Sequence, residues 1–313
     1  MKKILLIGGA GFIGSNLVHN LLKGEPLDIY VIEPEKANIG RLNDIGSRVT
    51  IIRADLKDVP RINDIICANK IGIVIHLVST LLPNSSLEDY QKEMNDILLP
   101  SLNIMRICSK KNILFVYLSS GGTVYGNGLS TAYKESAVLD PISYYGLSKV
   151  FMEQAIVFEN RHSGLRYLIL RPSNPYGKGQ NIFGKQGLIA VSIGKILKHE
   201  AITIWGDGSL IRDYIDIDNL CEYISELIAE GITNEIINIG SGKGHSVKNI
   251  VDIIQDIVRV PIEIKYTESR DTDVNSVVLC TEKLNNFIPS KKNKDIRDSI
   301  SIFYKAEYEK YHK

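Results

Sequence analysis

Short, continuously apolar runs (KILLIG, DIYVIEP, VTIIRAD, GIVIHLV, ILFVYLSS and RYLILRP) alternate through the first half of the chain with amphipathic segments such as Leu87 to Lys110 and Ser148 to Arg161. A strand that is apolar on both faces must be covered on both faces, and helical connections between such strands make them parallel. The pattern predicts an α/β fold built on a Rossmann-type, doubly wound parallel sheet. After Arg171 the rhythm changes to loops rich in Gly, Asn and Lys (NPYGKGQNIFGKQG), the short strands AITIWG and EIINIG, and helices near Leu188 to Lys198, Val247 to Val258 and Ile296 to Tyr308. We read residues 1–171 as the sheet domain and 172–313 as mainly a smaller α+β lobe, with some later segments returning to the first domain. A ligand crevice is expected between the lobes, beyond the carboxyl ends of the strands.

The 313 residues, 44% of them apolar, suffice for a full core and a second small one. With 37 basic against 36 acidic side chains, the chain lacks the concentrated positive charge that nucleic acid or an anionic membrane requires. The run KKNK at Lys291 to Lys294 reads as a solvated loop. Cys67, Cys108, Cys221 and Cys280 lie far apart, as do the six histidines, so no metal site is expected and the cysteines read as reduced thiols of a cytoplasmic protein. The opening MKKILLIGGAGFIG imitates a signal peptide for seven residues, then breaks into glycines and the polar Ser15, Asn16 and His19, so it reads as a strand. No later segment is long enough to span a bilayer.

GGAGFIG, from Gly8 to Gly14, follows the first strand and opens the first helix. Glycines at that place permit a tight turn and let backbone amides approach a pyrophosphate at the helix N-terminus. Glu33 ends the second strand about twenty residues on. A carboxylate there hydrogen-bonds ribose hydroxyls and repels a 2′-phosphate, which favours NAD over NADP, with Lys36 nearby as the contrary sign. Asp55, ending VTIIRAD, either accepts from an adenine amino group or caps the following helix. In SYYGLSK, Tyr145 and Lys149 are four residues apart on one helical face, whereas Tyr144 is five from the lysine and faces elsewhere. An ammonium beside a phenol stabilises the phenolate, and bound oxidised nicotinamide would add a second positive charge; the pair reads as a general base usable near neutral pH.

GGAGFIG, VIHL, SSGGTVYG, YGLSK, RPSNPYG, IWGDGSLIRDYIDIDNL, NIGSGKGHSV and SRDTD together resemble, in order and over nearly the whole chain, the extended short-chain dehydrogenase/reductases, and within them the nucleotide-sugar 4-epimerases of the UDP-glucose 4-epimerase type. The resemblance implies a tightly held NAD that takes hydride from sugar C4 while the tyrosine takes the hydroxyl proton, rotation of a 4-keto sugar in the pocket, and return of the hydride to its opposite face. Carried over by position, Tyr145 is the base and Lys149 its electrostatic partner and a nicotinamide-ribose ligand. Gly8, Gly11, Phe12, Ile13, Gly14, Glu33, Asp55, Leu56, Leu77, Ser119 and Ser173 fall around NAD. Asn174, Leu188, Trp205, Arg212, Arg270 and Asp273 fall around a nucleotide-sugar substrate expected to be UDP-linked, the two arginines matching diphosphate-binding positions. The competing reading of Arg212 is an ion pair with Asp213 or Asp216. Leu87 to Lys110 and the helix of Tyr145 resemble the segments that form a four-helix interface in the family, so a homodimer is expected.

Three departures bear on this expectation. The family's relay hydroxyl, third before VYG, is Gly121 here, leaving Ser120 and Thr123 as the nearest donors; Thr123 is favoured, as a residue able to point from the strand end toward the sugar while the glycines admit a ligand close to the backbone. Gly122 and Thr123 occupy the positions where related 4,6-dehydratases carry an acid and a base, which weighs against dehydration. Val277 falls where epimerases gate the space at the sugar C2 substituent, and its modest volume leaves room for an N-acetyl group; a uronic acid also remains open. The alternatives are a nucleotide-4-ketosugar reductase of the same fold and a non-catalytic dinucleotide-binding protein.

Overall fold

The computed structural model describes residues 3–24, 27–127, 132–268, 276–289 and 291–312. In chain order its first half comprises β1 (Lys3–Ile7), α1 (Phe12–Leu21), β2 (Asp28–Glu33), β3 (Val49–Arg53), α2 (Val59–Asn69), β4 (Ile73–His76), α3 (Leu87–Glu93), α4 (Leu99–Lys110), β5 (Leu114–Leu118), α5 (Tyr144–Ser163) and β6 (Tyr167–Pro172). The second half comprises β7 (Asn174–Tyr176), α6 (Leu188–Leu197), β8 (Ile202–Trp205), β9 (Ile211–Asp216), α7 (Ile217–Ala229), β10 (Glu235–Ile239), β11 (Gly244–Ser246), α8 (Val247–Val258), β12 (Ile264–Thr267), β13 (Ser276–Val277), α9 (Glu282–Phe287) and α10 (Ile296–Tyr311).

All six expected strands of the first half are present, and together with β10 they form one parallel sheet of seven strands in the order β10-β6-β5-β4-β1-β2-β3. The order reverses between β1 and β4, which opens a crevice at their carboxyl ends. Leu6, Val31 and Val116 face a core shared with α1 and α7, whereas Leu5, Val74 and Phe115 face one shared with α2, α4 and α5. Alternate side chains of a strand point to opposite faces, so runs apolar at every position supply both cores.

The strand EIINIG, read from the sequence with the second lobe, is instead the edge of the main sheet, with Glu235 to Ile239 registered against Leu168 to Pro172 of β6. α7 returns with it, laying Leu220, Ile224 and Leu227 on the core beside α1. Periodicity identifies a strand but not its partner. The amphipathic stretch Leu87 to Lys110 is α3 and α4 joined by a π-helical turn at Met94–Leu98. Pro100 has no N–H to continue the α ladder, and the wider turn absorbs the interruption.

The second lobe packs α6, α8 and α10 around β8, with Ile193, Ile204, Ile250, Ile254 and Phe303 in its core. Its small sheet, β11-β9-β13 with β7 beside β9, leads directly out of β6 and so hangs the lobe over the crevice. Among the described residues no helix is long and apolar enough to cross a membrane.

Candidate active site

The three glycines that open α1 have separate physical reasons. Gly8 has φ +84°, in the left-handed region, and a Cβ there would lie 2.7 Å from Val78 Cγ2. A Cβ on Gly14 would lie 2.6 Å from the Gly8 carbonyl oxygen and 2.7 Å from Gly9 Cα, so the turn and helix touch only because it is absent. Gly11 is different: its nearest atom would be 3.5 Å away, it lines the cleft, and as N-cap of α1 it offers no side-chain acceptor to the helix amides. The first turn of the helix thus presents unoccupied N–H groups to the cleft, the arrangement that binds a diphosphate. Glu33 braces this turn, its Oε1 accepting from Ala10 N at 2.6 Å. Burial raises its pKa, while the Ala10 amide and the Arg53 charge oppose the rise. Asp55 does not cap α2, which is capped by Asp58; its Oδ1 accepts from Lys57 N in a local turn, and Leu56 beside it is buried.

Tyr145 and Lys149 lie on the first turns of α5 and both line the cleft. Lys149 Nζ donates to the Leu118 carbonyl at 3.0 Å and stands 5.5 Å from the Tyr145 ring centre and 5.1 Å from that of Tyr117. Burial pulls the lysine down to about 8, against the opposing charges of Glu93 and Glu153. The phenol is not depressed as the sequence led us to expect. Burial holds it above its ordinary value; Ser120 lowers it, and the Glu93 charge raises it further. Tyr144 stacks on Tyr90 with ring centres 5.4 Å apart, outside the cleft lining.

The structure explains SSGGTVYG differently from the sequence. Ser119 Oγ donates to Glu153, so its hydroxyl is committed to the interior. Ser120 is the hydroxyl facing Tyr145, while Thr123, which the sequence favoured, also lines the cleft, its Oγ1 buried with no partner among the described residues. Gly121 does not admit ligand: a Cβ there would lie 2.6 Å from Leu279 Cδ1 and 3.0 Å from the Arg171 carbonyl oxygen. Restoring a serine at this position therefore overpacks the site. Gly121→Ser is expected to lose about 1–3 kcal/mol in urea unfolding without any gain in rate; equal stability would show that Leu279 yields freely.

The cleft between the lobes has a volume of about 720 Å³ and is lined by Gly11, Leu77, Ser120, Tyr145, Lys149 and Ser173 on one side. Asn174, Leu188, Trp205 and Arg212 line the other. Asn174 is set by its Nδ2 donating to the Asp213 carbonyl at 2.8 Å. Arg212 Nη1 donates to the Ile211 carbonyl at 2.9 Å; of the carboxylates considered for it, Asp213 accepts from Ser241, Gly242 and Leu279, and Asp216 pairs with Lys294 at 3.0 Å. Arg270 and Asp273 lie outside the described residues. Val277 is buried among Val124, Tyr125, Tyr133 and Leu279 and is not among the described cleft-lining residues, so its volume is no argument about a C2 substituent.

Sequence reasoning missed Thr80, Ser192, Lys195 and Thr203, all in the cleft lining; Lys195 Nζ donates to Thr203 Oγ1 at 3.0 Å. It also missed Glu93, whose signal was legible, a carboxylate on the same helical stripe as Tyr90 and Ile97.

The glycine cradle, the uncapped helix start and the buried, unpartnered Ser173 Oγ on the cleft wall fit a dinucleotide. Residues 4–240 match the NAD dependent epimerase/dehydratase family. The chain belongs to that family. NAD is its cofactor. Among relatives, it is 33% identical over 300 residues, 95% of each chain, to a Methanocaldococcus jannaschii protein provisionally named a UDP-glucose 4-epimerase. It is 30% identical over 286 residues, 88% of each chain, to an Escherichia coli dTDP-4-dehydro-6-deoxyglucose reductase. Among solved structures, UDP-glucose 4-epimerase of Thermotoga maritima with UDP-glucose superposes with a TM-score of 0.89 at 26% identity, covering 98% of this chain and 99% of the other.

Proposed function

We propose that the protein inverts C4 of a nucleotide-linked hexose, UDP-linked by similarity to the relatives above, through a transient 4-keto sugar. The observation that carries this reading is the convergence of Tyr145, Lys149 and Ser120 in a cleft whose other wall presents Asn174, Trp205 and Arg212. Bound NAD supplies the hydride acceptor and a positive charge. Tyr145 accepts the C4 hydroxyl proton and later returns it. Lys149, pinned by the Leu118 carbonyl, presents a cation that stabilises the phenolate form in which Tyr145 can accept that proton, and Ser120 supports the same form with a hydrogen bond. Arg212 suits the diphosphate, because a guanidinium fork pairs with two phosphate oxygens. Trp205, 40% exposed, offers a flat apolar surface to the rest of the nucleotide. We also place a second copy of the chain on the α3 to α5 face, which exposes Leu87, Leu99, Leu147 and Phe158.

The second reading is a 4-ketosugar reductase, favoured by the similarity to the E. coli reductase. Purified protein without added cofactor, incubated with UDP- and dTDP-hexoses and followed by proton NMR, is expected to invert C4. Stoichiometric oxidation of added NADH by a nucleotide-linked 4-keto-6-deoxyhexose, its C4 ketone reduced to the alcohol, with no inversion of the hexoses, would establish the reductase instead. In the same assay Ser120→Ala is expected to lower kcat by about tenfold or more, the worth of one hydrogen bond to a charged group. Thr123→Val is expected to do so less. The reverse ranking would return the relay to Thr123.

A further inference from the structure

Glu93 lies beside the catalytic pair, yet the reaction above gives it no task. It is 1% exposed, the last residue of α3 before the π-helical turn. A carboxylate so far from solvent is retained only where hydrogen bonds and charge stabilise it. Its Oε2 accepts from Thr80 N at 2.9 Å and from Thr80 Oγ1 at 2.5 Å, and Thr80 belongs to the loop after β4 that walls the cleft.

The groups around Lys149 single Glu93 out. Tyr117 approaches from β5, Tyr145 and Glu153 from α5, and His76 from β4. His76 is uncharged near neutrality, since burial pulls it to about 3, and the Tyr117 phenol is held well above its ordinary value by burial. Glu153 is gripped by Arg171 through Nε at 3.0 Å and Nη2 at 2.6 Å, which neutralises much of its charge. Among the described residues, Glu93 is then the carboxylate whose charge reaches the ammonium with a threonine alone bound to it.

We propose that Glu93 is a positioning residue that holds Thr80 in the cleft wall and supplies a buried negative charge to the enclosure of Lys149. The inference rests on the reading of Tyr145 and Lys149 as the acid–base pair. The π-helical turn that accommodates Pro100 begins at the next residue, so the helix leaves its regular path where Glu93 reaches Thr80.

Glu93→Gln keeps the shape and an oxygen for Thr80 but removes the charge. Glu93 raises both Lys149 and Tyr145, so its loss moves both to lower pH. In protein carrying carbon-13 lysine, with Lys149 assigned by comparison with Lys149→Arg, its titration midpoint is expected to fall by about one pH unit in Glu93→Gln. Both limbs of the pH profile of kcat are expected to move the same way. Glu93→Asp, which keeps the charge and controls for folding, is expected to retain the wild-type limbs while KM rises through the lost Thr80 geometry. An unshifted Lys149 midpoint in Glu93→Gln overturns the proposal even if activity falls. A shifted midpoint in protein that turns over no nucleotide sugar supports it and refutes the reaction instead.

Discussion

Tyr145→Phe is expected to lower kcat for C4 inversion by about 10²–10⁴, with KM nearly unchanged and the fold intact. The substitution removes one oxygen from a side chain that the surrounding cleft already positions, and the group it leaves behind is the Ser120 hydroxyl, which water in the cleft can satisfy. Because burial holds the phenol above its ordinary value and the lysine near 8, the two protonation states are separated in the direction that keeps Tyr145 protonated and Lys149 charged at neutral pH. The phenol is then a group that ionises only when something positive joins it, which ties its basicity to the presence of the cofactor. NMR of C4 inversion in wild type and variant, at matched NAD content, measures the effect. A variant retaining more than about a tenth of the rate would place the base elsewhere, since general-base catalysis is worth more than that.

Glu153→Gln is expected to cost about 3–5 kcal/mol, a large share of the roughly 5–15 kcal/mol that holds a folded protein together. Arg171 and Glu153 have side-chain exposures of 2% and 1%. The guanidinium also donates to Tyr125 Oη at 2.8 Å and to the Glu135 carbonyl at 3.0 Å. Removing the carboxylate leaves a cation in the core with its partner gone, because a guanidinium stays protonated at any accessible pH even though burial pulls its pKa down. Urea unfolding measures the loss. Replacing both residues together with apolar side chains, Glu153→Leu with Arg171→Met, is expected to recover most of it, because what is costly is the uncompensated charge rather than the missing pair. The recovered protein is still expected to be a poor catalyst. Ser119 also donates to Glu153, and it is the residue before Ser120, so the pair sets the strand end that presents a hydroxyl to Tyr145.

Much of this molecule was legible in the sequence where local chemistry suffices. GGAGFIG specifies a turn that any residue larger than glycine would obstruct at Gly8 and Gly14, and the spacing of Tyr145 and Lys149 places them on one side of α5 whatever else the chain does. Other readings failed because they asked about neighbours distant in sequence. Gly121 was taken as room for a ligand, but Leu279, some hundred and sixty residues later in the chain, fills that room. Which of the two cleft-lining hydroxyls, Ser120 or Thr123, meets the phenol was likewise not legible, because their chemistry is the same and only the fold turns Ser120 toward Tyr145. The pairing of β10 with β6 was equally invisible, because a strand's apolar pattern is the same for any partner.

The sequence by itself determined a parallel sheet with helices on both faces, a phosphate-accepting turn after the first strand, and a tyrosine and lysine on a shared helical face. These follow from periodicity and backbone sterics, which act between residues close in the chain. The tertiary structure alone decided which hydroxyl meets Tyr145, which carboxylate acts on Lys149, and that burial raises the phenol. Those are properties of charge and dielectric at a point where α3, α5, β4 and β5 meet, and a field at such a point depends on distances that only the folded chain defines.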